Sequence, residues 1–179
     1  GVLYSHRSNV IHALIACQRD ALDLGAREVV LPVVPMFHAN AWGIAHAAPM
    51  VGAKLVMPGG KMDGESIYEL LDTHKVTMSA AVPTVWLMLL QYLEETGKEL
   101  PHLNRVVIGG SACPRAMTQK FQDNYGVDVI HAWGMTEMSP LGSLGTLKPQ
   151  FAGLKGEALL DLKAKQGYAP FGVEMKITD

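Results

Sequence analysis

The densest chemistry in the sequence lies in His131-Ala-Trp-Gly-Met-Thr-Glu137. Its last five residues carry an aromatic ring, a hydroxyl and a carboxylate. That set suits a nucleotide. Trp133 can stack on adenine, and Thr136 can hydrogen-bond a phosphate oxygen. Glu137 offers hard oxygen to Mg²⁺, an ion that is commonly held by one or two carboxylates together with substrate phosphates. The same residues also fit a plainer arrangement, with the tryptophan in a core and the glutamate on a solvated turn. One short motif does not separate the two.

Three further segments add to it. Gly109-Gly-Ser-Ala-Cys-Pro114 combines glycines, which let a backbone approach a ligand, with the start of a helix, whose free N–H groups can face an anion or a base edge. It matches neither a Walker loop nor GxGxxG, and an ordinary strand-to-helix turn would look the same. Pro35-Met-Phe-His-Ala-Asn-Ala-Trp42 holds His38, which can contact a carboxylate or phosphate or serve as a structural histidine; His38 and His46 do not read as a zinc pair. Trp42 is a gate or a core residue. Val82-Pro-Thr-Val-Trp86 can line a tunnel for an alkyl chain or pack in the core. The 10 methionines suit adaptable apolar pockets and core filling equally.

These segments need elements to hold them. Ser8 reads as the cap of a helix reaching about Leu24, with Val10, Ile11, Leu14 and Ile15 on one side. Glu28–Pro35 reads as a buried strand, and Pro32 places it at an edge or a bulge. A helix over Ala41–Val51 and a short strand Ala53–Met57 follow. Asp63 is expected to cap a helix from Glu65 to His74. Val76–Val82 reads as a strand, and Pro83 opens a helix that runs to Thr96 and stops at Gly97. Arg105–Gly109 and Val127–His131 read as strands around a helix that begins at Pro114 and ends near Tyr125. Gly142–Gly153 reads as loop, Glu157–Lys165 as a short helix, and Gly172–Asp179 as a strand with alternating sides. Alternating strands and helices predict an α/β layered fold with a mostly parallel sheet. In such sheets ligands bind beyond the carboxyl ends of strands, so chemistry is expected after Val34, Val82, Ile108 and His131.

Composition narrows the class. The chain has 179 residues, 49% of them hydrophobic, enough for one domain with a sizeable core. Charged residues make up 18%, below the usual share of about 25%, as expected for a surface partly covered by more protein. A net charge of −2 without a basic block gives no attraction to nucleic acid or to an anionic membrane. Two cysteines, Cys17 and Cys113, lack metal spacing and suggest a reduced, cytoplasmic setting. The most apolar stretch, Ala80–Leu90, is far short of the roughly 20 residues of a transmembrane segment. The chain starts at Gly1 and shows no signal peptide. Its ends read as cuts through a larger protein.

Taken in order and at their spacings, the four segments resemble the adenylate-forming family of acyl-CoA synthetases, luciferases and peptide-synthetase adenylation domains. Gly1-Val-Leu-Tyr-Ser-His-Arg-Ser8 is similar to the stretch just after that family's Ser/Thr/Gly-rich phosphate loop, and Trp133-Gly-Met-Thr-Glu137 to its aromatic-Gly-x-Thr-Glu signature. The resemblance covers essentially the whole chain. Pro35–Trp42 resembles bacterial fatty-acyl-CoA synthetases more narrowly, because a peptide-synthetase loop carries an acid here to hold the substrate amine and this one carries His38 and Asn40.

The resemblance implies a single partial AMP-binding domain over residues 1–179, with ATP, Mg²⁺ and CoA as cofactors or cosubstrates. It implies that His38, Thr136 and Glu137 are catalytic, with Thr136 at the α-phosphate and Glu137 on the metal. Gly110, Ser111, Ala112, His131, Ala132, Trp133, Gly134, Met135 and Thr136 would surround the nucleotide. Trp42, Val82, Thr84 and Met135 would meet the acyl chain, with Trp42 as its gate. His131 and Ala132 depart from the pattern, since many members have an amide residue and a glycine there; the methyl of Ala132 is expected to narrow the tunnel. The implied partners are a fatty acid, ATP, CoA and the rest of a parent chain, which is expected as a homodimer. A phosphate loop and a lysine-bearing C-terminal domain would lie outside these residues, so the piece alone is expected to be inactive. Competing readings are an aryl- or short-chain-acid ligase of the same family and a non-catalytic nucleotide- or acyl-binding module.

Overall fold

A computed structural model describes residues 1–178. Six strands form one sheet: β1 Val29–Pro32, β2 Lys54–Leu55, β3 Met78–Ala81, β4 Arg105–Ile108, β5 Asp128–Gly134 and β6 Leu141–Leu144. Their spatial order is β2-β1-β3-β4-β5-β6, with every neighbouring pair parallel except the antiparallel β5–β6. Helices cover both faces, as the β–α alternation predicts. The helices are α1 His6–Ala16, α2 Ala39–Trp42, α3 Ile44–Val51, α4 Gly64–Thr73, α5 Pro83–Thr96, α6 Arg115–Tyr125 and α7 Gly156–Lys163.

One core lies between the sheet and α4, α5 and α6. It includes Leu31, Val106, Ile108 and Val129 from the strands and Ile67, Trp86, Leu89, Leu93 and Phe121 from the helices. Trp86 and Phe121 meet edge to face at 5.6 Å, and the Trp86 indole N–H donates to the Ala81 carbonyl at 3.2 Å. The second core uses the alternate strand residues Val30, Met78, Ala80, Val107 and Ile130 against α1 and α3. Its helical residues are small: Ala13, Ala16, Ala47 and Ala48.

Local signals end most helices where the sequence predicts. Asp63 accepts from the Ser66 N–H at 2.9 Å and caps α4. Pro83 opens α5, and Gly97 and Gly126 close α5 and α6 in left-handed conformations. At the sheet's lower edge Arg105 donates to the carbonyls of Leu22 and Asp23 and pairs with Glu28 at 3.1 Å, fixing the α1–β1 connection.

Seven expectations are corrected. The cap of α1 is Ser5, which accepts from the Ser8 N–H at 3.0 Å, and the helix ends at Ala16 rather than near Leu24. Its buried stripe is His12, Ala13, Ile15 and Ala16; Val10, Ile11 and Leu14 face outward, because the short alanines are what lets α1 approach α3. β1 is an interior strand. Pro32 is tolerated there because its missing N–H points to the β2 side, and β2 pairs only with Val29 and Val30. The expected Ala41–Val51 helix is split at Gly43. Leu141–Leu144, placed mostly in an expected loop, is β6, and residues 172–178 form no strand. Asp179 lies outside the described residues.

Candidate functional site

A cavity of about 380 Å³ opens at the carboxyl ends of the strands, lined from the connections after β1, β4 and β5. Leu22, Ile44, Val107, Ala132 and Leu141 make its apolar part, and His38, Thr136 and Glu137 bring the polar groups.

The connection after β1 reaches the cavity through an unusual turn. Ala39, Asn40, Ala41 and Trp42 all have left-handed φ, between 47° and 55°, and Gly43 follows at 79°. For L-residues such a conformation costs about 1–2 kcal/mol each. Burial of Ala41 and the seating of Trp42 oppose that cost. The Trp42 ring lies on the strand-end glycines of the next connection. A Cβ at Gly109 would stand 3.3 Å from Trp42 Cη2 and 2.9 Å from the Ala132 carbonyl oxygen. A Cβ at Gly110 would stand 3.1 Å from Val82 Cγ1. The glycines after β4 are therefore required by the approach of Trp42, Ala132 and Val82.

The third wall is the β5–β6 hairpin. Trp133 stands opposite Ser143 and Gly134 opposite Leu141, with a register shift between Trp133 and Gly134. Gly134 is needed because a Cβ there would lie 2.1 Å from the Pro140 carbonyl oxygen. Trp133 is 40% exposed, and its ring covers Gly142. Thr136–Met138 form a 3₁₀ turn that leaves Glu137 exposed at the cavity.

The cavity thus gathers His38, Trp42, Gly110, Ala132, Trp133, Gly134, Met135, Thr136 and Glu137 from the expected site. Ser111 and Ala112 are exposed on the loop after β4 and do not line it, nor do Val82 and Thr84. His131 is buried on the other side of β5, where Nε2 accepts from the Cys113 N–H at 3.3 Å. Burial pushes its pKa down. Adjacent strand residues point to opposite faces, which separates His131 from Ala132.

Two residues escaped the sequence reading. His12 is 7% exposed, lines the cavity, and has a buried Nε2 without a hydrogen-bond partner. Burial first, and the nearby His46 second, lower its pKa to about 4, so it is neutral near pH 7. The available signal was a histidine within the alanine stripe of α1. Tyr4 also has a buried, unpartnered hydroxyl; burial and the charge of Glu137 raise its pKa.

A nucleotide and metal fit these residues in one respect that can be checked. Among the described residues no group of three or more His, Cys, Asp or Glu side chains could hold a metal. A single exposed carboxylate beside a hydroxyl instead suits Mg²⁺ carried with phosphate oxygens.

The sequence profile of the AMP-binding enzymes matches residues 1–179. The chain belongs to the AMP-binding enzyme family. It is 50% identical over 179 residues to a medium-chain-fatty-acid–CoA ligase of Ectopseudomonas oleovorans, covering 100% of this chain and 33% of that protein. It is 49% identical over 179 residues to a 3-methylmercaptopropionyl-CoA ligase of Ruegeria pomeroyi, again covering 100% of this chain and 33% of the relative. Among solved structures, the N-terminal domain of FACL13 from Mycobacterium tuberculosis superposes with a TM-score of 0.79 at 23% identity, covering 96% of this chain and 40% of that one. That likeness shows the fold: a six-stranded, mostly parallel sheet with flanking helices. The chain spans about a third of the length of the curated relatives it matches. Among the described residues no helix is long and apolar enough to cross a membrane.

Proposed function

We propose that this AMP-binding chain is part of an ATP-dependent acyl-CoA synthetase that activates a medium- or long-chain fatty acid. The observation that supports this best is one cavity whose apolar part lies next to His38, Thr136 and Glu137. An acid with an alkyl chain can put its hydrocarbon against Leu22, Ile44 and Val107 and its carboxylate toward the polar groups. The similarity to a medium-chain-fatty-acid–CoA ligase supports the same substrate class.

The proposed chemistry has two steps. A carboxylate oxygen attacks the α-phosphorus of ATP, the bond to pyrophosphate breaks, and an acyl-adenylate forms. The thiol sulfur of CoA then attacks the acyl carbonyl, AMP leaves with its oxygen, and the thiol proton passes to solvent. No side-chain nucleophile is needed, so the protein contributes positioning and charge stabilisation. Trp133 offers a face to adenine. The Thr136 hydroxyl donates to an α-phosphate oxygen, His38 orients the carboxylate or a phosphate, and Glu137 would hold Mg²⁺, which would neutralise phosphate charge. Trp42 seats or frees the chain's entry path. We propose that the activity belongs to the whole protein, acting in the cytoplasm, and that residues 1–179 alone release no pyrophosphate and form no thioester.

The test is ATP-dependent pyrophosphate release by the complete protein, with straight acids from short to long and one aromatic acid. A peak at medium or long chains supports the proposal. Release only with the aromatic acid moves the substrate to aryl acids, and no release with any acid favours a non-catalytic binding module. In the same assay Ala132→Gly should move the preferred chain length upward, and an unchanged profile would remove the tunnel-narrowing role of its methyl. Similarity to a 3-methylmercaptopropionyl-CoA ligase favours a second reading, a short acid with a chain heteroatom; 3-methylmercaptopropionate belongs in the same series.

A further inference from the structure

The loop after β4 has two ends, and its glycines hold only the first. Gly109 and Gly110 line the cavity and lie against Trp42 and Val82. Ser111 and Ala112 are exposed, and the chain turns inward again at Cys113 before α6. That helix has Pro114 at its N-cap and no side-chain cap bond, so its start must be fixed from elsewhere. His131 does this. It pairs with Ile108, the last residue of β4, and its Nε2 accepts from the Cys113 N–H at 3.3 Å. The bond closes the excursion 109–113 onto β5. The Gln166 amide nitrogen stands 3.4 Å from the same Nε2 and braces the ring from the chain beyond α7. The residue is 3% exposed, and burial pushes its pKa down. A neutral ring with its proton on Nδ1 leaves Nε2 free to accept. Trp133 lies two residues further along β5, in the wall of the cavity. One strand therefore carries both Trp133 and the anchor of the glycine loop.

We propose that His131 is a positioning residue for ATP: by tying Cys113 to β5 it sets the place of the Gly109–Gly110 backbone relative to Trp133, and so the width of the slot that receives adenine, without touching the nucleotide. This rests on the reading of the cavity as the ATP site. Contact energy between a base and its two walls falls steeply with a gap of even a fraction of an ångström, so a loop that drifts outward loses affinity. The apolar wall of Leu22, Ile44 and Val107 contains no residue of this loop, so the bond bears on ATP and not on the acid.

The experiment uses the complete protein and measures kcat, KM for ATP and KM for the best acid by pyrophosphate release. His131→Met fills similar space and removes the nitrogen acceptor. It should raise KM for ATP about tenfold, the size expected when a buried donor loses its partner. KM for the acid and kcat should stay within about twofold. His131→Gln has nearly the shape of methionine and an amide oxygen that can accept from the Cys113 N–H, so it should recover most of the ATP affinity. Should His131→Met fail to fold, His131→Asn takes its place; its amide is one methylene shorter, and it should show the same rise. An unmoved KM for ATP in the variant that folds would overturn the inference and leave the ATP site standing. So would an equal rise in both KM values, or a glutamine variant no better than the methionine or asparagine one, since either makes His131 a general support of the sheet. No release with any acid would remove the ATP reading and the inference together.

Discussion

The two faces of the sheet are built on different terms. Under α4, α5 and α6 the core is made of large side chains, with Trp86, Phe121, Leu89 and Leu93 all buried to 1% exposure or less. Helices there begin and end on ordinary caps. Under α1 and α3 the helices present alanines, four successive residues take left-handed φ, and a cavity of about 380 Å³ remains with an unpartnered histidine in its wall. The same strands supply both faces through alternate residues. One face is packed to hold the sheet; the other gives up packing to leave room. Four successive strained residues stand in the turn on the roomy side, where functional sites commonly hold such features.

The sharpest way to break this comparison is to damage the packed face and look for an effect on the other. Trp86→Ala removes a fully buried indole, its edge-to-face contact with Phe121 and its bond to the Ala81 carbonyl. Truncations of this size cost about 3–5 kcal/mol. The urea midpoint of the complete protein should fall accordingly, while the acid-length profile of the surviving folded enzyme keeps its shape. A changed profile would mean that the faces are coupled through the sheet.

The next effect comes from pH and belongs to the roomy face. The folded state holds the His12 pKa near 4, against 6.5 for an unperturbed histidine. Between those values the unfolded chain binds a proton that the folded chain refuses, so stability declines as pH falls from about 6.5 toward 4 and is level above that window. The full loss is on the order of 3 kcal/mol by linkage. Carboxylates titrate in part of the same window, so the measurement is the difference between the unaltered protein and His12→Leu, followed by urea unfolding from pH 7.5 to 4. Parallel curves would show that His12 takes up its proton without penalty.

The packed face was largely legible in the sequence and the roomy one was not. Asp63, Pro83, Gly97 and Gly126 act on their own helices, so a local reading finds them. The alternation of strands and helices predicts the mostly parallel sheet, while the placing of β1 between β2 and β3 is set by long-range pairing. β6 depends on what β5 does nearby, and its Gly142-Ser-Leu run carries no strand period of its own. The left-handed turn has no glycine until Gly43, so its residues advertise nothing; it exists because Trp42 lies over Gly109. His131 and Ala132 are neighbours in sequence and reach opposite sides of a strand, which divided one expected nucleotide contact set in two. His12 was hidden because a polar residue in an apolar helix stripe becomes informative only once the cavity beside it is known.

A smaller effect tests the turn itself. Gly43→Ala would place a methyl 2.3 Å from His12 Cε1 at a φ of 79°. Left-handed strain alone costs about 1–2 kcal/mol, and the imidazole must also move. The expected result is a loss of roughly 2 kcal/mol in urea unfolding together with lower pyrophosphate release, since His12 rests on this residue and Trp42 directly precedes it in the strained turn. A stability loss with undiminished turnover would show that the turn is a structural device only.

The smallest effect returns to the packed face. Asp63 accepts from the Ser66 N–H at 2.9 Å and from its hydroxyl at 3.0 Å, and the bonds hold the Asp63 carboxyl below the usual range. Replacing it with alanine removes the cap of α4 at a cost of about 1 kcal/mol, typical of N-caps. α4 contributes Ile67 and Leu71 to the large-residue core and lines no part of the cavity. Asp63→Ala should therefore lower the unfolding midpoint slightly and leave kcat/KM for every acid within about twofold, the variation expected of a site remote from the change. Set beside Gly43→Ala, it asks whether a stability loss of similar order has different consequences on the two faces. If both variants lose turnover in proportion to stability, the division between a holding face and a working face fails, and the cavity depends on the rigidity of the whole sheet.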